Sequence, residues 1–172
     1  MKRIIKILAV TLMLVIIVGV SSVGYVLIKS TPEDMVACLQ TEDAFIFPSS
    51  FCKVSLFYLR DSKKDSETLD EHVGLGFVMD KQNVRLSLQL LNHFVDNGAN
   101  VNQPNPIHGL PPLFAAILSN SPEFCRYMIE HGADTNSVDL IYQKTPRELV
   151  QFLKEKEPEV DRSEIEKCLT GL

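Results

Sequence analysis

The 172-residue chain contains no tryptophan, and its four histidines, His72, His93, His108 and His131, are scattered rather than grouped. It has no nucleophile elbow, no phosphate-cradling glycine loop and no cysteine and histidine spacing of a zinc site. These absences remove the usual routes to acyl transfer, nucleotide chemistry and metal catalysis. No catalytic residue, metal ligand or cofactor is therefore assigned. Asp70-Glu71-His72 is the one local cluster with acid-base or metal-binding side chains. Convergent ligands around it are missing, so it reads as a solvated helix face.

Acidic residues are missing from the first 30 positions, which hold Lys2, Arg3, Lys6 and Lys29. From Ile7 to Ile28 there are 22 residues without a charge, about 33 Å as a helix against a hydrocarbon core of about 30 Å. The basic cluster precedes this run, so the positive-inside rule keeps the N-terminus in the cytoplasm and exports the chain beyond Ser30. A cleaved secretory signal, apolar from Ile7 to Val20 with a small-residue site at Val20-Ser21-Ser22, is the alternative. The apolar run continues through Tyr25-Val26-Leu27-Ile28, which favours an uncleaved anchor. Beyond residue 30, 13 of the 17 basic residues face all 22 acidic ones, a balance of −9. A domain this acidic makes a poor nucleic-acid binder and suits neutral or basic protein partners.

The centre of the chain repeats itself. Gly98-Ala99-Asn100-Val101-Asn102 returns as Gly132-Ala133-Asp134-Thr135-Asn136, 34 residues later, and Pro112 is answered by Pro146 at the same interval. Self-similarity at a period near 33 means stacked helical units. Gly109-Leu110-Pro111-Pro112-Leu113-Phe114-Ala115-Ala116, Lys144-Thr145-Pro146 and the two Gly-Ala-Asx-x-Asn boxes together resemble the ankyrin repeat, over about Asn83 to Leu153. Pro111 stands where that family has a capping Thr, Phe114 replaces its His, and each connecting finger is one residue longer than usual. The resemblance implies an all-α fold, a short solenoid of two to three repeats with atypical caps, behind the N-terminal helix. The expected divisions are 1–30 for the anchor, 31–82 for a helical cap with a degenerate first repeat, and 83–172 for the repeats with a C-terminal helical cap.

Local signals fill in the elements. Thr31-Pro32-Glu33-Asp34 reads as a helix start running to about Gln40. Phe45 to Phe51 reads as a loop whose aromatics cover something. Ser50 to Arg60 fits a helix better than a strand. Asp61 to Asp65 reads as a charged, solvated turn, and Leu69, Val73, Phe77 and Met79 as one face of a helix from Glu67 to Asp80. Val84 to Asn97 is a strongly amphipathic helix, ended by Gly98 as a left-handed C-cap, with Gly132 in the same role. Pro112 to Ser119 is an inner helix, and the outer helix after Pro122 turns Phe124, Cys125, Met128 and Ile129 to the stack. Thr145-Pro146-Arg147-Glu148 is a capping box. Lys154 to Pro158 reads as irregular, and Ile165, Cys168 and Leu169 form the apolar side of a last short helix. Four cysteines allow three pairings. Cys38 with Cys52 is the more plausible disulfide, and Cys125 reads as a buried free thiol.

Members of the ankyrin family generally bind proteins through the finger tips and inner-helix surface, since rigid units hold these positions before the partner arrives. Carried onto this chain, the resemblance picks out Ile107, His108 and Leu110, then Leu118 and Ser119, then Leu140, Ile141, Tyr142 and Lys144, and finally Phe152 and Leu153. Most are apolar, as in a protein-protein hot spot. The competing expectation is self-burial, with the fingers folding back over Ile107, Leu140 and Ile141, and residues 155–172 covering Phe152 and Leu153.

Two functional classes fit these features. The layout resembles small exported ankyrin proteins that act as immunity partners of type VI secretion phospholipase effectors, which implies a bacterial inner-membrane anchor, a periplasmic domain and a lipase-like protein partner. The other class is an envelope scaffold or stress-related protein that gathers endogenous partners. The sequence assigns no oligomeric state.

Overall fold

The computed structural model describes residues 2–41 and 48–171, and every regular element among them is helical. The chain divides into two compact units, Met1–Arg60 and Asp61–Leu172.

In the first unit, α1 (Lys2–Lys29) is one unbroken helix, and its Ala9–Lys29 stretch is long and apolar enough to cross a membrane. Thr31 then starts α2 (Pro32–Gln40) with a complete capping box. Its hydroxyl accepts from Asp34 N at 3.3 Å, while its own N–H donates to the Asp34 carboxylate at 3.0 Å. α3 (Ser49–Val54) passes into a π-helical turn at Ser55–Leu59, closed by Arg60 N donating to Ser55 O at 3.1 Å. The helical reading of Ser50 to Arg60 is thus realised. Cys38 is bonded to Cys52, as expected, joining α2 to α3, and Met35, Val36 and Leu56 are fully buried. Of the loop expected at Phe45 to Phe51, residues 45–47 lie outside the described residues. Phe51 belongs to α3 and is exposed.

The second unit is a stack. Its outer row is α4 (Ser62–His72), α5 (Val84–Asp96), α7 (Pro122–Glu130) and α9 (Ser163–Thr170), each packed on the next. Its inner row is a 3₁₀ turn at Leu75–Val78, then α6 (Pro112–Leu118), then α8 (Pro146–Lys156). The amphipathic pattern explains the packing. α5 buries Ser87, Leu90, Leu91 and Phe94, and α7 buries Phe124, Cys125, Tyr127 and Met128. Gly98 (φ +105°) and Gly132 (φ +90°) end α5 and α7 in the left-handed region, as expected. Each is followed by the same bond, Ala99 N to Phe94 O at 3.0 Å and Ala133 N to Met128 O at 2.9 Å.

The boxes after these glycines repeat in detail. Asn100 Oδ1 accepts from Asn102 N at 2.9 Å, and Asp134 Oδ1 accepts from Asn136 N at 2.8 Å. Asn102 also straps one repeat to the next, accepting from Asp134 N at 2.8 Å and donating to Gly132 O at 3.0 Å. Thr145 forms the expected capping box with Glu148. Pro111, where the resemblance expects Thr, makes no side-chain cap bond.

Five expectations are corrected. Asp61 to Asp65 is not a solvated turn. Asp61 caps α4 by accepting from Lys64 N at 3.2 Å, and Asp65 is buried. The helix expected across Glu67 to Asp80 breaks at Gly74 (φ +66°), whose N–H returns to Leu69 O at 2.7 Å, so Val73 and Phe77 do not share a face with Leu69. α8 runs on through Lys156 rather than fraying at Lys154. Leu153 is buried, not presented to a partner. Cys125 is no free thiol but is bonded to Cys168, because α7 and α9 are neighbours in the outer row. That bridge encloses 43 residues of sequence, a loop whose closure is worth about 4 kcal/mol in the chain-entropy picture.

Candidate protein-binding surface

Each finger is built on one polar side chain. In the first, Asn105 N donates to Leu110 O at 2.9 Å, closing the loop, and Asn105 Oδ1 accepts from Ile107 N at 2.8 Å and His108 N at 3.0 Å. Asn105 also donates its amide to Val73 O, anchoring the finger to the end of α4. In the second, Asp139 N donates to Lys144 O at 3.1 Å, and Asp139 Oδ1 accepts from Ile141 N at 2.8 Å and Tyr142 N at 2.7 Å, with Lys144 N on Oδ2 at 3.4 Å. Gly109 (φ +68°) and Gln143 (φ +53°) take the same left-handed step in the two loops. A side chain that accepts several backbone N–H groups substitutes for secondary structure. The tips are therefore fixed in shape although they are irregular.

Fixing the backbone this way turns apolar side chains outward. Ile107 is 65% exposed, Leu140 79% and Ile141 52%, which rules out the fingers folding back over them. Val138, at 59%, joins this set and was not among the residues expected. His108 is exposed, and Leu110, Leu118 and Ser119 are half-buried. Ser119 O accepts from Lys81 Nζ at 2.7 Å.

Tyr142, Lys144 and Phe152 come together. The rings of Tyr142 and Phe152 lie 6.3 Å apart, tilted by 53°. Lys144 Nζ stands 5.2 Å from the Phe152 centroid and Lys156 Nζ 5.7 Å, within cation–π range. Tyr142 and Phe152 are half-buried, so they form a stiff, partly exposed platform of the kind that loses little side-chain freedom on binding. Of the other expected residues, Ile107, His108 and Leu110 lie on the first finger, Leu118 and Ser119 at the end of α6, Leu140 and Ile141 on the second finger, and Leu153 in α8.

Outside this surface the polar clusters are structural. Asp70, from the cluster Asp70-Glu71-His72, accepts from Asn100 N at 2.7 Å and so ties α4 to the first box. Burial raises its carboxyl above the usual 3.8, partly offset by that hydrogen bond. Among the described residues no group of three metal-binding side chains comes together. Arg162 is buried at the turn before α9, donating to Ile117 O at 3.1 Å and to Glu157 at 2.5 Å.

Comparison with known proteins agrees with this architecture. Residues 108–140 match the ankyrin repeat family. The chain is similar to ankyrin repeat and SOCS box protein 6, at 32% identity over 68 residues of the Mus musculus protein and 34% over 73 residues of the Homo sapiens protein. These matches cover 40% and 42% of this chain, which spans about 16% of the length of either relative. No solved structure matches the chain significantly. The ankyrin repeat is a protein-interaction fold, so the matched residues imply a protein-binding module.

Proposed function

We propose that this chain is a membrane-tethered binding protein, held by α1 with its repeats on the outer, periplasmic side of a bacterial inner membrane, and that it binds and neutralises a lipase-like toxic effector of type VI secretion. The observation that carries the binding reading is the pair of fingers with fixed backbones and exposed Ile107, Leu140 and Ile141. A monomeric surface spends such residues sparingly unless a partner covers them. Two disulfides, Cys38–Cys52 and Cys125–Cys168, support an oxidising compartment. The apolar run continues past Val20-Ser21-Ser22 through Tyr25-Val26-Leu27-Ile28, longer than a signal's apolar region, which supports an anchor over a cleaved signal. A tether beside the membrane raises the local concentration of an inhibitor where a phospholipase meets its substrate.

The test is protection. A lipase-like effector encoded beside this chain is directed to the periplasm of a host expressing the full-length protein or none. Growth restored by the full-length protein, together with recovery of a complex of the two, is the expected outcome. A host that dies equally with or without the protein contradicts the immunity reading, and capture of resident envelope proteins in place of the effector points to the scaffold.

A further inference from the structure

The first unit carries an apolar face that the binding surface does not use. α3 and its π-helical turn bury Cys52, Ser55 and Leu56. On the other side Phe51 is 49% exposed, Val54 49%, Tyr58 77% and Leu59 61%. Phe51, Val54 and Tyr58 succeed one another at intervals of three and four, the spacing of one helix face.

The place of this face in the unit says what covers it. Ser55 Oγ donates to Leu27 O at 3.2 Å, and Arg60 Nη1 approaches the carbonyls of Leu27, Ile28 and Ser30 at 2.9, 3.1 and 2.6 Å. Those carbonyls end α1, where helix geometry leaves them without intrahelical donors and the dipole is negative. The guanidinium and hydroxyl satisfy them, and Leu27 is buried beneath the turn. The segment Ser49–Leu59 is thus fastened to the last turn of the Ala9–Lys29 stretch. That stretch of 21 residues is about 31 Å long, close to the hydrocarbon thickness of about 30 Å. Whatever is fastened at Leu27 lies at the membrane boundary.

We infer that Ser49–Leu59 is an interfacial collar, with Phe51, Val54, Tyr58 and Leu59 seated in the headgroup and upper acyl region of the bilayer that α1 crosses. The inference rests on the reading of α1 as a membrane span. Lipid is the occupant because the face is continuous with the exit point of the span, and because a tyrosine among apolar side chains suits the zone where one end is apolar and the other wet. The collar holds the first unit flat against the membrane instead of leaving it on a free stalk.

The absence of tryptophan makes this directly measurable. Tyr58→Trp and Phe51→Trp, each in the full-length protein reconstituted into phosphatidylcholine vesicles, place a single fluorophore on the face. Val18→Trp reports on the middle of the span. Vesicles contain lipids brominated either high or low on the acyl chain, and acrylamide reports water access. An apolar face lies about 5–10 Å into the interface, so Tyr58→Trp is expected to show a blue-shifted emission and about two-fold stronger quenching by the shallow bromines than by the deep ones. Val18→Trp is expected to show the reverse. If Val18→Trp is quenched by deep bromines while Tyr58→Trp and Phe51→Trp respond only to acrylamide, the collar is wrong and the span stands. Fluorophores on the face that are shielded from bromines and acrylamide alike would show a protein covering it, which also overturns the collar. If Val18→Trp is not quenched by lipid at all, the span fails and the collar with it.

Discussion

Asn105 and Asp139, 34 residues apart, do the same thing in successive fingers: one side-chain oxygen of each accepts the N–H groups two and three residues ahead. The equivalence shows that the shape of the tips is part of the repeat, whereas the tip residues Ile107, His108, Leu140 and Ile141 are what each finger presents. It also yields the first prediction. Asp139 is buried and receives a third N–H, from Lys144. Asp139→Ala strands these donors and is expected to cost about 1–3 kcal/mol. Asp139→Asn keeps an acceptor in place, as Asn105 does, and is expected to cost less in the same urea titration.

The left-handed positions separate backbone strain from packing. Gln143 holds φ +53° where the first finger has Gly109, so Gln143→Gly is expected to stabilise the protein by up to about 1 kcal/mol, strain relieved less the added chain entropy. Gly132→Val forces a β-branched residue to φ +90°, although nothing lies within 4 Å of an added Cβ. A loss of about 1–2 kcal/mol from backbone strain alone is expected. Thermal unfolding of both variants decides, and an unchanged melting temperature for Gly132→Val contradicts the C-cap.

Tyr127 packs on His131, with ring centroids 3.9 Å apart, and its buried hydroxyl has no hydrogen-bond partner among the described residues. Burial, helped by the Asp96 charge, pushes the phenol up to about 12. Tyr127→Phe removes an unsatisfied polar group and is expected to be neutral or to stabilise by about 1 kcal/mol. A clear destabilisation would mean that the hydroxyl is bonded.

His93, on the last turn of α5, is held below the usual 6.5 by burial, against the opposing charges of Asp65 and Asp96. The unfolded chain therefore binds a proton that the folded chain resists. Stability is full above the unfolded value and is lost as pH falls from it toward the depressed folded value. Urea midpoints at about pH 7.5 and pH 5.5 are expected to differ less in His93→Gln than in the parent, since the substitution removes the linkage.

Much of the fold is legible in the sequence because the repeat writes it twice. The 34-residue period, the glycines at 98 and 132 and the capping boxes at Thr31 and Thr145 are local signals, and local signals survive without coordinates. The features that stayed hidden depend on stacking. Cys168 pairs with Cys125 only because α9 is the next outer helix after α7, a neighbourhood that the boxes at Gly98 and Gly132 do not mark. α4 begins in a run of charges, Lys63, Lys64 and Asp65, whose pattern alone resembles a turn. Asn105 and Asp139 were within reach at the repeat interval, but a change of residue type in an irregular stretch masked their equivalence. The apolar finger residues were legible as a set; their exposure was not, since it arises from how these two side chains hold the loops.

The most direct test of finger-tip recognition is the affinity of the full-length protein, in detergent, for the lipase-like effector proposed as its partner, after charge is placed on the second finger. Leu140→Asp and Ile141→Asp change side chains that are 79% and 52% exposed, so circular dichroism and melting temperature are expected to stay as in the parent. If these residues form a hot spot worth about 2 kcal/mol or more, the double variant binds about 30-fold more weakly. A folded double variant that binds as tightly as the parent contradicts recognition through the finger tips.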